Sequence, residues 1–126
     1  MYSEAAVSLA ESIYTDDGKM HVVNTLNNGA IPFLADDDAV ETRAYVGKNG
    51  AKTIPCVSQG SPLTQNYIRS VKTYERYAVE AAISGCKTSA LRALMANPII
   101  LDVEAAKACF EEMLEAHKAY LPRFFQ

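Results

Sequence analysis

The spacing of apolar residues in the first half of the chain predicts one helix and then a small antiparallel sheet. Residues 2–14 repeat apolar positions at helical spacing and end at the Asp-Gly turn of residues 16–18. Residues 20–24 read as a short strand, and residues 39–46 alternate like a half-exposed strand that returns through Asn49-Gly50 over residues 51–57. The helix face comprises Ala5, Ala6, Leu9 and Ile13, with Tyr14 as a further candidate, and the inner strand face comprises Val40, Thr42, Ala44 and Val46.

The second half of the chain has a helical pattern throughout and predicts three helices. The first starts at residue 64 and ends at Gly85, and Thr88 or Ser89 starts the next, which Asn97-Pro98 stops. Asp102 caps the last helix, and Pro122 ends it. The long stripe comprises Tyr67, Ile68, Val71, Tyr74, Ala78, Ala82 and Ile83, and the last inner face comprises Ala106, Phe110, Met113, Leu114, His117 and Leu121.

Composition adds a size limit and excludes two classes of partner. The 126 residues, of which 49% are hydrophobic and 21% charged, suffice for one core, so we expect residues 1–126 to form a single domain. The expected fold is α+β, mostly helical with a small antiparallel sheet. The basic residues are scattered and the net charge is -3, which disfavours nucleic acid, and the apolar runs are too short to span a membrane.

The three cysteines, Cys56, Cys86 and Cys109, lie far apart in sequence and form no CxxC pair. An odd number of isolated cysteines is typical of reduced thiols in the cytoplasm. We expect them to be small buried apolar residues.

Motifs that would give the chain its own chemistry are missing. The six glycines form neither a dinucleotide-binding nor a P-loop fingerprint, and no GxSxG nucleophile elbow occurs. His21 and His117 are too far apart in sequence to suggest a metal site, and His117 falls on an apolar helix face. Residues 36–38, three aspartates, lack the pattern of a calcium loop and are expected to form a solvated turn. We therefore assign no catalytic, cofactor-binding or metal-binding residue.

The asparagines near the loop of residues 25–38 are the most site-like feature of the sequence. Asn24, Asn27 and Asn28 offer amide donors and acceptors beside a flexible Gly29. Amides of this kind bind sugar hydroxyls without needing a charge. The alternative is that they cap turns and satisfy the loop backbone. Both interpretations remain open, and we name these three residues as the candidate substrate-proximal set.

Several motifs, in order along nearly the whole chain, resemble the C-terminal portion of family 4 glycoside hydrolases of the 6-phospho-β-glucosidase type. The resemblance rests on segments 2–6 (YSEAA), 12–14 (SIY), 22–31 (VVNTLNNGAI), 78–85 (AVEAAISG), 93–98 (ALMANP) and 112–122 (EMLEAHKAYLP). The implied fold is the C-terminal domain related to that of lactate and malate dehydrogenases.

The resemblance also implies how the intact enzyme works. Members of the family are three to four times longer, with an N-terminal Rossmann domain for NAD and a divalent metal, usually manganese, whose ligands precede this segment. NAD oxidises the sugar C3 hydroxyl, the C2 proton is removed, the aglycone is eliminated, water adds and the ketone is reduced. The implied substrate is a phosphorylated β-glucoside, and the family is commonly oligomeric. This chain is then expected to be a C-terminal fragment that is inactive alone and whose domain-facing surface is exposed and apolar.

Two further interpretations remain. One stays within the family, as a 6-phospho-α-glucosidase or an α-galactosidase. The other is an independent, non-enzymatic dimerisation or binding module.

Overall fold

The structure, a computed structural model, describes residues 2–126, which divide after Gln59 into two compact units. The first unit contains a helix and a three-stranded antiparallel sheet, and the second contains helices. Helices dominate and the sheet is small, so the predicted α+β class is confirmed. Among the described residues, no helix combines the length and the apolar character needed to cross a bilayer.

Helix α1 spans Tyr2–Thr15, close to its predicted bounds, but its apolar face is largely exposed. Ser12 is fully buried and Leu9 is half-buried, whereas Ala5 and Ala6 are exposed. Ile13 is 45% and Tyr14 91% exposed. The buried Ser12 hydroxyl lies 2.8 Å from Nε2 of His21 on the sheet, so a polar contact and not the apolar stripe marks the side that packs inward.

The sheet has strands β1 (Met20–Leu26), β2 (Ala39–Gly47) and β3 (Gly50–Thr53) in that order, with both pairs antiparallel. β1 continues two residues beyond its predicted end, and Thr25 pairs with Val40. The predicted alternation of β2 is confirmed, because Val40, Ala44 and Val46 are buried while their neighbours are exposed. A tight turn at residues 48–49 joins Gly47 to Gly50, and β3 ends at Thr53, well before the predicted residue 57.

The second unit contains α2 (Pro62–Ser84), α3 (Lys87–Ala96) and α4 (Val103–Ala116), then two short 3-10 turns (Lys118–Tyr120 and Pro122–Phe125). The Ser61 hydroxyl caps α2 by accepting from the Thr64 backbone, so the helix starts before residue 64. Cys86, and not Thr88 or Ser89, is the residue preceding α3. Asp102 caps α4 as predicted, through a 2.7 Å bond from the Ala105 amide.

The apolar stripes of the second unit are covered less than predicted. Tyr67 is 54% and Ile83 67% exposed, and Ala82 is exposed as well, whereas the fully buried residue of α2 is Ala81. α4 ends at Ala116, so the exposed His117 lies just beyond the helix.

The cysteines are not core residues either. Cys56 and Cys109 are exposed and Cys86 is half-buried, and all three are free thiols. Within residues 36–38, Asp36 and Asp37 are exposed as predicted, but Asp38 is buried.

Gly85 ends α2 in the left-handed conformation, with φ 74°, and its amide donates to the Ala81 carbonyl. A methyl group there would lie 2.2 Å from the carbonyl oxygen of Arg123, because the C-terminal turn crosses the end of α2. The Arg123 guanidinium donates to the Ile83 carbonyl at 2.8 Å, which holds the turn against the helix. Glycine is therefore required both by the backbone angle and by the close approach.

Gly85→Ala is expected to lower the free energy of unfolding by about 2–4 kcal/mol, since it adds a backbone clash to the left-handed penalty of about 1 kcal/mol. Gly18→Ala is the matched control, because Gly18 has φ 65° and its added methyl group would stand in open space. Denaturant unfolding with hydrogen exchange along α2 measures both. Equal losses of unfolding free energy in the two variants would contradict the clash. Deleting residues 123–126 should recover part of the unfolding free energy that Gly85→Ala loses.

Asp17 and Lys19 close the turn between α1 and β1. The Lys19 amide donates to Asp17 Oδ1 at 3.0 Å, and the ammonium lies 2.8 Å from Oδ2. The side-chain bond from Lys19, followed by its backbone bond, lowers the pKa of Asp17 from 3.8 to about 2. Because the folded pKa is depressed, this contribution to stability is present above about pH 4 and is lost as the pH falls toward 2.

Lys19→Met should move the titration midpoint of the Asp17 carboxyl from about 2 part of the way toward 3.8. The return is partial because the residue 19 amide still donates to the carboxylate. An NMR titration of the carboxyl carbon measures the midpoint. Lys52→Met, which removes a cation from β3, should leave it unchanged, and an unshifted midpoint in Lys19→Met would refute the assigned cause.

Candidate functional site

The Asn27 carboxamide organises the loop that joins β1 to β2. Asn27 is fully buried. Its Nδ2 lies 3.0, 3.2 and 3.1 Å from the carbonyl oxygens of Ile31, Leu34 and Ala35, and its Oδ1 accepts from the Ile31 amide at 2.7 Å. One side chain therefore replaces the strand partners that these backbone groups lack.

The two ends of the same loop are closed by backbone bonds. The Asn27 amide donates to the Asp38 carbonyl at 2.8 Å, and the Asn28 amide donates to the Asp36 carbonyl at 3.0 Å. The buried carboxylate of Asp38 accepts from the Ala35 amide at 3.0 Å. These hydrogen bonds hold the loop in a fixed conformation.

The three candidate asparagines do not converge on one point. Asn24 is exposed and lies within β1 opposite Glu41, on the face of the sheet that α1 does not cover. Asn28 is exposed at the start of the loop, with φ 43°. The alternative of turn capping describes Asn27, whose amide is engaged by the loop backbone. That Asn24 and Asn28 lie near a substrate stays a prediction, as does the proximity of Asn27.

A groove in the second unit, of about 640 Å³, lies between α2, α3, α4 and the C-terminal turns. Its polar side chains are those of Tyr74, His117, Tyr120 and Arg123, and alanines, leucines and phenylalanines form most of the rest. The groove offers burial of an apolar surface, and it contains no carboxylate that could act as an acid or base.

The described residues do not gather metal ligands. No group of three or more His, Cys, Asp or Glu side chains within residues 2–126 could hold an ion. His21 bonds to Ser12 in the first unit, and His117 borders the groove in the second.

Cys86 is a feature that the sequence analysis missed. The nearby Ser89, through its hydroxyl first and then its amide, lowers the pKa of the Cys86 thiol. Ser89 is buried and donates its hydroxyl to Glu80 at 2.7 Å. No local motif in the sequence marks it, because a cysteine three residues before a serine is not a capping box and the Cys86 side chain makes no cap bond.

Solved structures share this fold. The 6-phospho-β-glucosidase of Thermotoga maritima, crystallised with NAD and glucose-6-phosphate, superposes with a TM-score of 0.85 and 42% identity over 96% of this chain and 29% of that chain. A 6-phospho-α-glucosidase from gut microorganisms, in complex with NAD and Mn²⁺, gives a TM-score of 0.88 and 26% identity over 96% of this chain and 27% of that chain.

Sequence comparison gives the same relationship. A probable 6-phospho-β-glucosidase of Bacillus subtilis is 44% identical over 124 residues, which cover 98% of this chain and 28% of the relative. The chain thus spans somewhat more than a quarter of the length of the relatives it matches. The profile of the family 4 glycosyl hydrolase C-terminal domain matches residues 2–100, well over half of the chain, and the chain therefore belongs to the family 4 glycosyl hydrolases.

Proposed function

We propose that residues 1–126 act as the C-terminal domain of a 6-phospho-β-glucosidase that uses NAD and a divalent metal, manganese by preference, and hydrolyses phosphorylated β-glucosides. The observation that carries this proposal is the match of nearly the whole chain, at 42–44% identity, to proteins of that name. One of them was crystallised with manganese, NAD⁺ and glucose-6-phosphate. Three free thiols agree with a reducing compartment, and we place the enzyme in the cytoplasm.

The β anomer is favoured over the α anomer within the family. Two α-glucosidase structures are as close in backbone, with TM-scores of 0.88 and 0.84, but their identities of 26% and 34% are below the 42% of the Thermotoga maritima β-glucosidase. Backbone similarity reports the shared fold, whereas identity of side chains follows specificity more closely.

Neither the sequence nor the described residues supply a complete site for NAD or for the metal. The sequence contains no glycine fingerprint for a pyrophosphate, and the described residues gather no metal-ligating cluster. We therefore assign both sites, and the oxidation–elimination–addition–reduction chemistry that depends on them, to an N-terminal Rossmann domain outside these residues. The role left for this chain is to support that domain and to complete the pocket wall.

The β1–β2 loop is the part of this chain that we assign to the pocket wall. Asn27 fixes the loop from inside through its bonds to Ile31, Leu34 and Ala35. Asn28, at the exposed end, then presents an amide from a fixed backbone, as recognition of sugar hydroxyls requires. We also propose that the enzyme is a homo-oligomer.

The first test uses the full-length enzyme with nitrophenyl glycosides, phosphorylated and plain, of both anomers. We expect turnover of the phosphorylated β-glucoside only, with NAD and Mn²⁺ added. The 126-residue chain is the matched control and should show no turnover and no NAD binding in calorimetry. Preference for the α anomer would identify the enzyme as a 6-phospho-α-glucosidase of the same family. Turnover by the short chain would refute the assignment of the chemistry to the N-terminal domain.

A second test separates loop structure from substrate contact. Asn27→Asp keeps the shape but sets a carboxylate against three carbonyl oxygens, so we expect a loss of about 2 kcal/mol or more in unfolding free energy. Asn28→Gly removes an amide at a φ of 43°, which glycine adopts freely, so stability should be kept.

In the full-length enzyme, Asn28→Gly should raise KM for the phosphoglucoside about tenfold, the effect of one lost hydrogen bond of about 1.4 kcal/mol. The KM of the Asn24→Ala variant is measured in the same assay. An unchanged KM in both variants would remove the asparagines from the substrate site while leaving the structural role of Asn27 intact.

A further inference from the structure

The sheet of the first unit has one face that α1 covers and one that it does not. Ser12 of α1 contacts His21, whose side chain lies on the covered face with Ala44 and Val46. We call the opposite side the outer face. It consists of Met20, Val22, Asn24 and Leu26 of β1, Ala39, Glu41, Arg43 and Tyr45 of β2, and Lys52 of β3.

Five of the nine residues of the outer face are apolar, and the large ones are exposed. Met20 is 54%, Val22 65%, Leu26 52% and Tyr45 55% exposed. The strand register arranges β1 and β2 in four rows, Met20 beside Tyr45, Val22 beside Arg43, Asn24 beside Glu41 and Leu26 beside Ala39. Exposed apolar side chains in adjacent rows of a sheet are characteristic of a surface that another surface covers.

The two central rows carry opposite charges on the same strand. Glu41 and Arg43 are exposed and are separated by one residue, so their side chains lie about 7 Å apart along β2. Within residues 2–126, neither side chain has a hydrogen bond or an ion pair. The pair is available to a partner that presents the opposite order of charges.

We propose that a second copy of this chain covers the outer face, about a two-fold axis that runs across the strands at the level of Thr42, midway between the two sheets. Such an axis exchanges the two central rows, so Arg43 faces the partner's Glu41 and Glu41 faces the partner's Arg43. Both contacts are attractive and both arise from one surface, as an isologous interface requires.

The same axis matches the outer rows. It sets Tyr45, the bulkiest residue of the face, over the partner's Ala39, and Met20 over the partner's Leu26. Stacked sheets rotate by about 30°, so the central charge pairs, which lie nearest the axis, are displaced least. On β1 the axis sets Val22 over the partner's Asn24. The outer face therefore complements itself in charge along β2 and in size in the outer rows, which favours a second copy over an unrelated surface.

The small size of the outer face limits the strength of the contact. Seven residues of strand are about 24 Å long, and three strands are about 10–15 Å wide. The area of the outer face is therefore smaller than the ~800 Å² per partner of a typical stable interface. We expect a weak, concentration-dependent dimer of the 126-residue chain. The inference deepens the proposed self-association and is independent of the hydrolase activity.

Charge reversal tests the axis. Sedimentation equilibrium of the 126-residue chain should show a monomer–dimer equilibrium that Arg43→Glu and Glu41→Arg each weaken at least tenfold, because each places like charges together at both central contacts. The double variant Glu41→Arg with Arg43→Glu restores opposite pairs and should return the dissociation constant to within about threefold of the unmodified chain. An equimolar mixture of the two single variants should form a heterodimer for the same reason.

Glu112→Arg on α4 is the matched control, since it alters net charge as Glu41→Arg does but is not one of the residues of the outer face. It should leave the dissociation constant unchanged. A chain that stays monomeric up to millimolar concentration, single variants that dimerise as well as the unmodified chain, or a double variant that is not rescued would each overturn the proposal. If another part of a longer chain covers the outer face instead, the 126-residue chain stays monomeric, and that outcome overturns the proposal. Activity does not enter this readout, so failure of the proposed function leaves the outcome unaffected.

Discussion

The constraint on which the rest of the structure depends is the small size of the residues that its interior buries. In the first unit the buried apolar residues are Ala30, Val40, Ala44 and Val46, and in the second they are alanines at 81, 93 and 106. Small residues let helices and strands approach closely, but they remove little apolar area from water. The larger side chains, such as Val22, Tyr45 and Ile83, remain on the surface. Each unit is therefore folded but incompletely covered, as expected of a part that functions against other surfaces.

The same constraint explains which parts of the fold could be predicted from the sequence and which could not. β2 was predicted correctly because Val40, Ala44 and Val46 alternate with polar residues, and a strand with one buried face produces that period directly. For α1, periodicity identified an apolar face but did not indicate whether this unit's own core covers it. Ile13 and Tyr14 belong to such a face and are exposed, while Ser12 packs inward. A pattern of amphipathicity predicts the element, and only the structure reveals its partner.

The asparagine loop shows a different limit. Its composition indicated amide chemistry at Asn24, Asn27 and Asn28, and sequence left open whether that chemistry served a ligand or the backbone. Asn27 serves the backbone because three carbonyl groups, four to eight residues further along the chain, turn toward its side chain. No local propensity encodes such a convergence, because it arises only when the loop closes between Asn27 and Asp38. The family resemblance, by contrast, was recognised from motifs in order, which do not require the loop to be folded.

The polar interior of the described residues argues for a supporting role in its own terms. Sites that await a substrate or cofactor keep polar groups without a partner in the protein. Here every buried side-chain nitrogen and oxygen within residues 2–126 has a partner. Ser12 is joined to His21, Asn27 to its loop, and Ser89 to Glu80. Their hydrogen-bonding capacity is engaged in holding helices, strands and the loop in place, which agrees with the role proposed above, in which this chain positions surfaces and the reacting groups lie elsewhere.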